Sequence, residues 1–353
     1  MNFLLRPCLA FCFALIFTLP ASAGDSAPKP TRLGQPRKNY DHSALHRDSI
    51  AFSPDGKKLV WMHHLPEANA EEGGLCMIVW DLEKGFQTAD MKSDKPRTFA
   101  RSPIRFTANS KWVILGCFQP IPTFTPKGDP QTEYRNNVQA FVVFSGRELT
   151  GIVPRVADLN MQSWEAVGAS PDGKTAVAIH PKGGHVWEVP DWKDANKFEH
   201  EEANKVVLSP DCQLFAGTLN DKAVAIFKVA DGKEVVKLPG SGQALDFSPD
   251  GKQIVTWHDG KICLWQVEGA KQLWAVDCAV ARDDPWGPRF AHAGDGKRVA
   301  WNDGKNITIA DPGNGKTVMT LAAEKGPIAF SADGQRLALD CPDGTALVWN
   351  FKK

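Results

Sequence analysis

The densest group of side chains that could bind a metal lies in one short segment. His63 and His64 are followed by Glu67, Glu71 and Glu72, and imidazole nitrogens and carboxylate oxygens are common metal ligands. Their spacing fixes no coordination polyhedron. An acidic surface loop that is simply solvated is the stronger interpretation, so neither a metal nor another cofactor is predicted.

Other side chains with catalytic potential are isolated in the sequence. His180 and His185 flank a Lys-Gly-Gly turn, which favours turn histidines of a hairpin. Asp283 and Asp284 could form a carboxylate pair, but adjacent residues of an extended loop point in different directions, and no nucleophile accompanies them. The chain has no GxSxG, HExxH or P-loop signature. The sequence therefore favours a protein that is not an enzyme.

Six of the eight cysteines lie beyond residue 23, and none of them forms a CxxC pair, which argues against a zinc knuckle. Cys263 and Cys278 are the best candidates for a disulfide, because a turn near Gly269 would place them opposite each other on two strands. Cys76 and Cys117 form a weaker candidate pair. The alternative is that each cysteine is a small buried hydrophobic residue.

The first 23 residues have the organisation of a signal peptide. Arg6 gives a positive start, residues 8–19 are apolar, and small residues precede a cleavage site after Ala23. The apolar run of about 12 residues is too short for a membrane span, which needs about 20. We therefore expect an exported protein, periplasmic or extracellular, with no stable membrane insertion after cleavage.

The composition is that of a folded protein without a strong charge bias. The 41 basic side chains balance 41 acidic ones, and 42% of the residues are hydrophobic. Because polyanions select a net basic surface, nucleic acid is not expected as a partner. The 12 Trp and 19 Phe residues supply large apolar groups for a core.

The elements that must position these side chains are set by an internal repeat. Seven times, an apolar segment runs into Ser-Pro-Asp-Gly or a degenerate copy and out into another apolar segment. The copies are anchored at Ser53, Thr107, Ser170, Ser209, Ser248, Ala293 and Ser331, at intervals of 54, 63, 39, 39, 45 and 38 residues. Four intervals lie near the roughly 40–45 residues of a four-stranded propeller blade.

The turn residues predict a hairpin at each copy. Pro-Asp suits the central positions of a type I turn, and glycine accepts the positive φ that follows, as at Asp55-Gly56 and Asp250-Gly251. A later strand of most copies ends in an aromatic residue: Trp80, Phe144, Trp187, Phe227, Trp265 and Trp349. We expect the tryptophans to bury large surfaces between neighbouring sheets.

Together, these turns and aromatics resemble the WD40 family of β-propellers over residues 45–353, and Trp80-Asp81 reproduces that family's Trp-Asp ending. The resemblance implies an all-β fold, a single seven-bladed propeller of four-stranded antiparallel blades over residues 41–353. It also implies interaction with proteins or peptides. The family's Gly-His pair is mostly absent, with His46 and His200 as remnants, so its His-Asp-Trp network is expected to be incomplete.

The last repeat ends after its third strand, at Phe351-Lys352-Lys353. The family's closure by strand exchange implies that an N-terminal segment supplies the missing outer strand. Residues 24–40 are Pro-rich and basic, typical of a tether, and the candidate strand lies between Thr31 and Ser43.

Long connections mark one face of the predicted ring. The b-to-c loops at 63–74 and 119–137 emerge on the same face as the d-to-a segment 282–288. We expect Phe124, Tyr134, Arg282 and Trp286 to form parts of a contact surface there. The alternative is a solvated insertion whose aromatics fold back, with Trp286 as a turn plug.

The predicted function is a non-catalytic binding or assembly scaffold for an unknown protein or peptide partner. The reason is mechanical, since a rigid ring displays many loops in fixed relation. Two alternatives stay open because folds host several functions. One is a propeller hydrolase or lactonase with a channel site, and the other is a protein that binds carbohydrate or another small ligand.

Overall fold

The computed structural model describes residues 27–36, 49–65, 74–92, 99–100, 104–106, 110, 112–124, 130–142, 165–188, 193–240, 242–278, 280 and 287–352. These segments contain twenty-eight β-strands and one short 3₁₀ helix, Glu268–Ala270. Within them, no helix has the length and apolar character that a membrane crossing requires.

Six sheets share one architecture of four antiparallel strands. Blade 1 contains β2 (Ile50–Phe52), β3 (Lys58–Leu65), β4 (Gly74–Asp81) and β5 (Phe86–Lys92). Blade 3 contains β10 (Ala166–Ala169), β11 (Thr175–His180), β12 (Gly183–Glu188) and β13 (Lys193–Glu199). Blade 4 contains β14 (Ala203–Leu208), β15 (Leu214–Leu219), β16 (Val224–Lys228) and β17 (Glu234–Lys237). Blade 5 contains β18 (Gln243–Phe247), β19 (Gln253–His258), β20 (Lys261–Gln266) and β21 (Lys271–Asp277). Blade 6 contains β22 (Arg289–His292), β23 (Val299–Asn302), β24 (Asn306–Ala310) and β25 (Thr317–Ala322). Blade 7 contains β26 (Ile328–Phe330), β27 (Arg336–Asp340), β28 (Ala346–Asn350) and the N-terminal strand β1 (Thr31–Leu33).

The second repeat forms a different sheet, here called the ribbon sheet. It contains β6 (Phe99–Ala100), β7 (Arg105–Phe106), β8 (Trp112–Phe124) and β9 (Pro130–Val142). Two short strands share one edge of β8, with β6 pairing at Phe118 and β7 pairing at Ile114, while β9 pairs with β8 along its whole length. The strand order therefore departs from that of the six blades.

The innermost strands form a closed ring around a channel. Each contacts the next in the order β2, β7, β10, β14, β18, β22 and β26, and β26 contacts β2. Blade 7 is completed by β1, in which Thr31 lies opposite Val348 and Leu33 lies opposite Ala346. The predicted all-β propeller of four-stranded antiparallel blades with an N-terminal closing strand is thus confirmed. Six of the seven predicted blades have the regular strand order.

A serine–aspartate hydrogen bond organises most turns between the first and second strands of a blade. Ser53 Oγ donates to Asp55 Oδ1 over 2.6 Å and accepts from Lys58 N over 2.9 Å, so the hydroxyl joins both ends of the turn. Gly56 has a φ of 68°, a left-handed conformation that glycine adopts freely. The same 2.6 Å bond recurs at Ser170–Asp172, Ser209–Asp211, Ser248–Asp250 and Ser331–Asp333.

The core lies between neighbouring blades. Trp265 is buried in a cluster that joins blades 4 and 5, and its Nε1 donates to Thr256 Oγ1 over 2.9 Å. Trp349 is buried in a cluster that joins blades 6 and 7. Trp187 is fully buried in blade 3, and Trp80 packs against the cluster between blades 7 and 1. Each tryptophan stabilises the ring by about 3 kcal/mol at most.

The predicted Cys263–Cys278 disulfide is wrong, because both thiols are free and buried. The register pairs Cys263 with Ala275, and Cys278 follows the end of β21. Cys263 packs in the cluster toward blade 4, whereas Cys278 packs in the cluster toward blade 6. The two side chains therefore face opposite sides of blade 5. The side chains of Cys76 and Cys117 lie outside the described residues.

Candidate functional site

The connection predicted as a loop at 119–137 is largely a two-stranded ribbon. β8 and β9 pair over thirteen residues each, from Trp112 opposite Val142 to Phe124 opposite Pro130. The corresponding strands of blade 4 pair over five residues. At about 3.3 Å per residue, the ribbon extends roughly 25 Å farther than that hairpin.

Two prolines in this segment disfavour a strand at the level of the sequence. Pro120 and Pro122 lie inside β8 although proline cannot donate to a strand ladder. Because they are two residues apart, both nitrogens lie on the same edge of β8. The ladder between β8 and β9 is compatible with both prolines if their nitrogens lie on the edge of β8 that faces away from β9, because the missing N–H groups are then not needed for pairing.

A second, shorter ribbon lies beside the first in the ring. β3 and β4 pair from Lys58 opposite Asp81 to Leu65 opposite Gly74. His63 and His64 belong to this ladder, opposite Cys76 and Leu75. The three glutamates that follow them in the sequence, Glu67, Glu71 and Glu72, lie outside the described residues. Among the residues described, no group of three or more His, Cys, Asp and Glu side chains is placed to hold a metal ion.

The structure places two of the four predicted contact residues on the same ribbon. Phe124 lies opposite Pro130 at the end of the described ribbon, and Tyr134 lies opposite Pro120, four register positions away. This separation is about 13 Å along the strand. Arg282 and Trp286 lie outside the described residues.

A cavity of about 400 Å³ occupies the other end of the channel, and the innermost strands of all seven sheets line it. Its wall includes Ser209, Pro210 and Pro249 from the turns between first and second strands. Those turns lie on the face opposite the ribbons, because the second strand of each sheet runs from one face to the other. Most of the other wall residues are apolar, including Ile50, Leu208 and Phe290.

Asp246 and His292 form a polar pair in the cavity wall. Asp246 Oδ2 accepts from His292 Nδ1 over 3.1 Å and from His292 N over 3.3 Å. The Asp246 side chain is 31% exposed and that of His292 is 6% exposed. Two donors of blade 6 therefore hold a carboxylate of blade 5 at the channel. Arg105 of β7 supplies a positive charge to the same wall.

The cavity contains a thiol, Cys212, that is not activated as a nucleophile. Its pKa is raised to about 12, mainly by burial and also by the nearby Asp211, while Arg105 opposes the shift. The thiol is therefore protonated at neutral pH. The hydroxyl of Ser209, another wall residue, is engaged with Asp211 Oδ1 over 2.6 Å. This arrangement suits ligand binding better than acyl transfer.

Sequence reasoning missed this charged group in the channel, although a signal exists. Two positions before each repeat anchor, the residues are Ala51, Arg105, Gly168, Val207, Asp246, Ala291 and Ala329. Five of these are small or apolar, so the two charges stand out once the repeats are aligned. His292 has no comparable signal, because its role depends on the carboxylate of the neighbouring blade.

No family model matches this chain. The chain is distantly similar to a translation factor component. A subunit of eukaryotic translation initiation factor 3 from Chaetomium globosum is 27% identical over 202 residues, which cover 51% of this chain and 24% of that protein. The corresponding protein from Neurospora crassa is 27% identical over 154 residues, 40% of this chain and 18% of that protein. The chain thus matches about a quarter or less of these relatives' length.

Proposed function

We propose that this propeller is an exported, non-catalytic binding and assembly module, and that a protein or peptide partner docks on the face that carries the ribbons. The observation that carries the proposal is the β8–β9 ribbon, whose strands are more than twice as long as the paired segments of blade 4. A connection of this length is typical of a recognition element on a rigid scaffold.

Two further observations support a partner-binding role. The chain is distantly similar to proteins named as subunits, and the named assembly of those proteins is a translation initiation factor. Among the described strands, β9 pairs only with β8, so its other edge offers backbone donors and acceptors to a partner strand, whereas Pro120 and Pro122 remove donors from the outer edge of β8. We include the ribbon sheet as a second blade of a seven-bladed ring, since β7 takes its place between β2 and β10 around the channel.

Export is proposed from the sequence of residues 1–23, which lie outside the described residues. The positive start, the apolar run and the small residues up to Ala23 have the order of a signal peptide. The mature chain then begins at Gly24, before the closing strand β1.

Two measurements test the two parts of the proposal, partner binding and export. Affinity capture from native extract is carried out with the mature chain and with a variant in which residues 120–134 are replaced by Asn-Gly. This change keeps the pairs from Trp112–Val142 to Gln119–Arg135 and closes them with a favoured hairpin turn. The matched control shortens the β3–β4 ribbon in the same way, by replacing residues 64–75.

We expect a partner that is captured by the mature chain and by the control but not by the shortened β8–β9 variant. Equal capture by all three would place the binding surface elsewhere. The intact mass of the protein recovered from its native source gives the second readout. A mass that matches a chain beginning at Gly24 supports export, whereas a mass that includes residues 1–23 contradicts it.

A further inference from the structure

The channel cavity places opposite charges on opposite walls. Arg105 lies on β7, and Asp246 lies on β18. Around the ring, these strands are separated by β10 and β14 on one side and by β22, β26 and β2 on the other. Arg105 and Asp246 therefore line the cavity from nearly opposite sides, at equivalent positions of their repeats, and Arg105 Nη1 also donates to Ile104 O over 3.0 Å.

Asp246 is held in place but retains binding capacity. Both hydrogen bonds that it accepts from His292 end on Oδ2. Within the part of the chain that the structure describes, Oδ1 accepts no hydrogen bond, and Asp246 makes no ion pair with Arg105. A carboxylate oriented in this way can accept a charge-assisted hydrogen bond from a cation in the channel.

The remaining wall is mainly apolar and has the dimensions of a ligand pocket. The cavity of about 400 Å³ falls within the roughly 300–1,000 Å³ of typical small-molecule sites. Such sites combine an apolar lining with a few polar groups that fix orientation. Ile50, Leu208 and Phe290 belong to the lining here, and Asp246 and Arg105 supply the polar groups.

We propose that the cavity binds a small zwitterion with an apolar side chain, such as a free α-amino acid or a dipeptide. The ammonium group contacts Asp246, the carboxylate contacts Arg105, and the side chain lies against the apolar wall. His292 is a positioning residue, since its two donors fix the Asp246 carboxylate. The site goes beyond partner binding at the ribbons, because the cavity lies at the opposite end of the channel.

The test is calorimetric titration of the mature protein at pH 7 with L-leucine and with the dipeptide Leu-Leu. Two capped probes, N-acetyl-leucine and leucine amide, each lack one charge. We expect binding of the zwitterions and about tenfold weaker binding of each capped probe, because one charge-assisted contact is lost. Equal binding of the capped and free probes overturns the proposal. The absence of any binding at probe concentrations about tenfold above a millimolar dissociation constant overturns it as well.

Three variants assign the contacts. Asp246→Asn is expected to weaken leucine binding about tenfold without weakening the binding of N-acetyl-leucine, which lacks the ammonium group. Arg105→Gln is expected to weaken leucine binding about tenfold without weakening the binding of leucine amide, which lacks the carboxylate. Asp259→Asn is the matched control, since this carboxylate is exposed in the turn after β19. A loss of affinity in the control equal to that in Asp246→Asn contradicts the assignment.

Two further readouts separate folding and partner binding from ligand binding. Because the capped probes are tested on the unaltered protein, the proposal stays falsifiable if a variant fails to fold. The shortened β8–β9 variant should bind leucine as the mature protein does. Loss of partner capture with retained leucine binding would therefore separate the two sites.

Discussion

At the residue scale, a serine hydroxyl stabilises most of the turns between the first and second strands of a blade. Five turns have a buried serine that donates to the aspartate two residues later. Blade 6 keeps the same backbone, with Gly296 N donating to Ala293 O over 2.9 Å, but has alanine at the serine position. Asp295 Oδ1 still accepts from Lys297 N over 3.0 Å, so the aspartate is oriented as in the other turns.

The first prediction is that Ala293→Ser stabilises the protein by about 1 kcal/mol, because it adds the missing hydrogen bonds inside a turn that is already formed. Ser331→Ala, the reverse change in blade 7, should cost about 1–2 kcal/mol, since it leaves buried polar groups without a partner. Urea unfolding measures both. Destabilisation by Ala293→Ser would contradict the role given to the hydroxyl.

The cysteines show how burial at the residue scale overrides a pattern. Burial raises the pKa of Cys263 to about 11 and that of Cys278 to about 12. Two thiols that face different blades cannot meet, whatever the compartment. Their burial accords with the alternative interpretation of the cysteines as small hydrophobic residues.

At the element scale, three histidines lie on or next to the strands of blade 3, and His180 and His185 have ring centroids 6.3 Å apart. His180 ends β11, His185 lies on β12, and both are buried. His200 follows β13 and packs against Phe215 and Phe227, with ring centroids 4.8 and 5.5 Å apart. Burial lowers the pKa of His180 to about 4, and His185 and His200 add to this effect.

The same direction holds for the other two histidines. Burial lowers the pKa of His185, Lys197 lowers it further, and Asp194 opposes the shift. Burial also lowers the pKa of His200, although backbone carbonyls, including that of Glu201, favour its charged form. The folded protein therefore keeps these three histidines neutral at pH values where the unfolded chain binds protons.

The second prediction concerns the pH dependence of stability. A histidine with a lowered folded pKa contributes stability above its unfolded pKa of 6.5, and this contribution is lost as the pH falls toward about 4. Lys182 N also donates to His180 Nδ1 over 3.3 Å, a bond that protonation removes. We expect the free energy of unfolding to fall across this window, and His180→Gln to reduce the slope. Identical slopes for the two proteins would refute the assignment.

At the scale of the whole molecule, a strand of three residues closes the ring. Leu33 of β1 is 6% exposed and packs with Trp61 and Val348 between blades 7 and 1. Arg32 binds Asp343 Oδ2 over 2.6 Å, but its side chain is 46% exposed. The apolar contact, rather than the surface ion pair, should carry the closure.

The third prediction compares these neighbours in β1. Leu33→Ala should lower the free energy of unfolding by about 2–3 kcal/mol, because it leaves a cavity between the first and last blades. Arg32→Ala should cost about 1 kcal/mol or less, since exposed ion pairs are screened by water. Thermal unfolding of both variants checks the comparison. Closure through the ion pair would instead make Arg32→Ala the more damaging change.

The sequence by itself determined the propeller, its turns and its N-terminal closure. The turns and the repeated blades are encoded locally, because an anchor such as Ser248 and its partner Asp250 lie within one hairpin and the hairpins recur at blade spacing. The closing strand was instead expected from the resemblance to WD40 propellers, whose rings close by strand exchange. The strand pairing of β1 with β28 bears this out.

Only the tertiary structure decided which distant residues meet. The Asp246–His292 contact joins two blades, and Arg105 reaches the same cavity through a third sheet, because ring closure sets distances across the channel. The sequence did not predict the ribbon, because proline is compatible with a strand only on an edge that makes no ladder bonds, and the tertiary structure decides which edge of β8 pairs. The sides on which Cys263 and Cys278 lie depend on strand register, which packing against neighbouring blades selects.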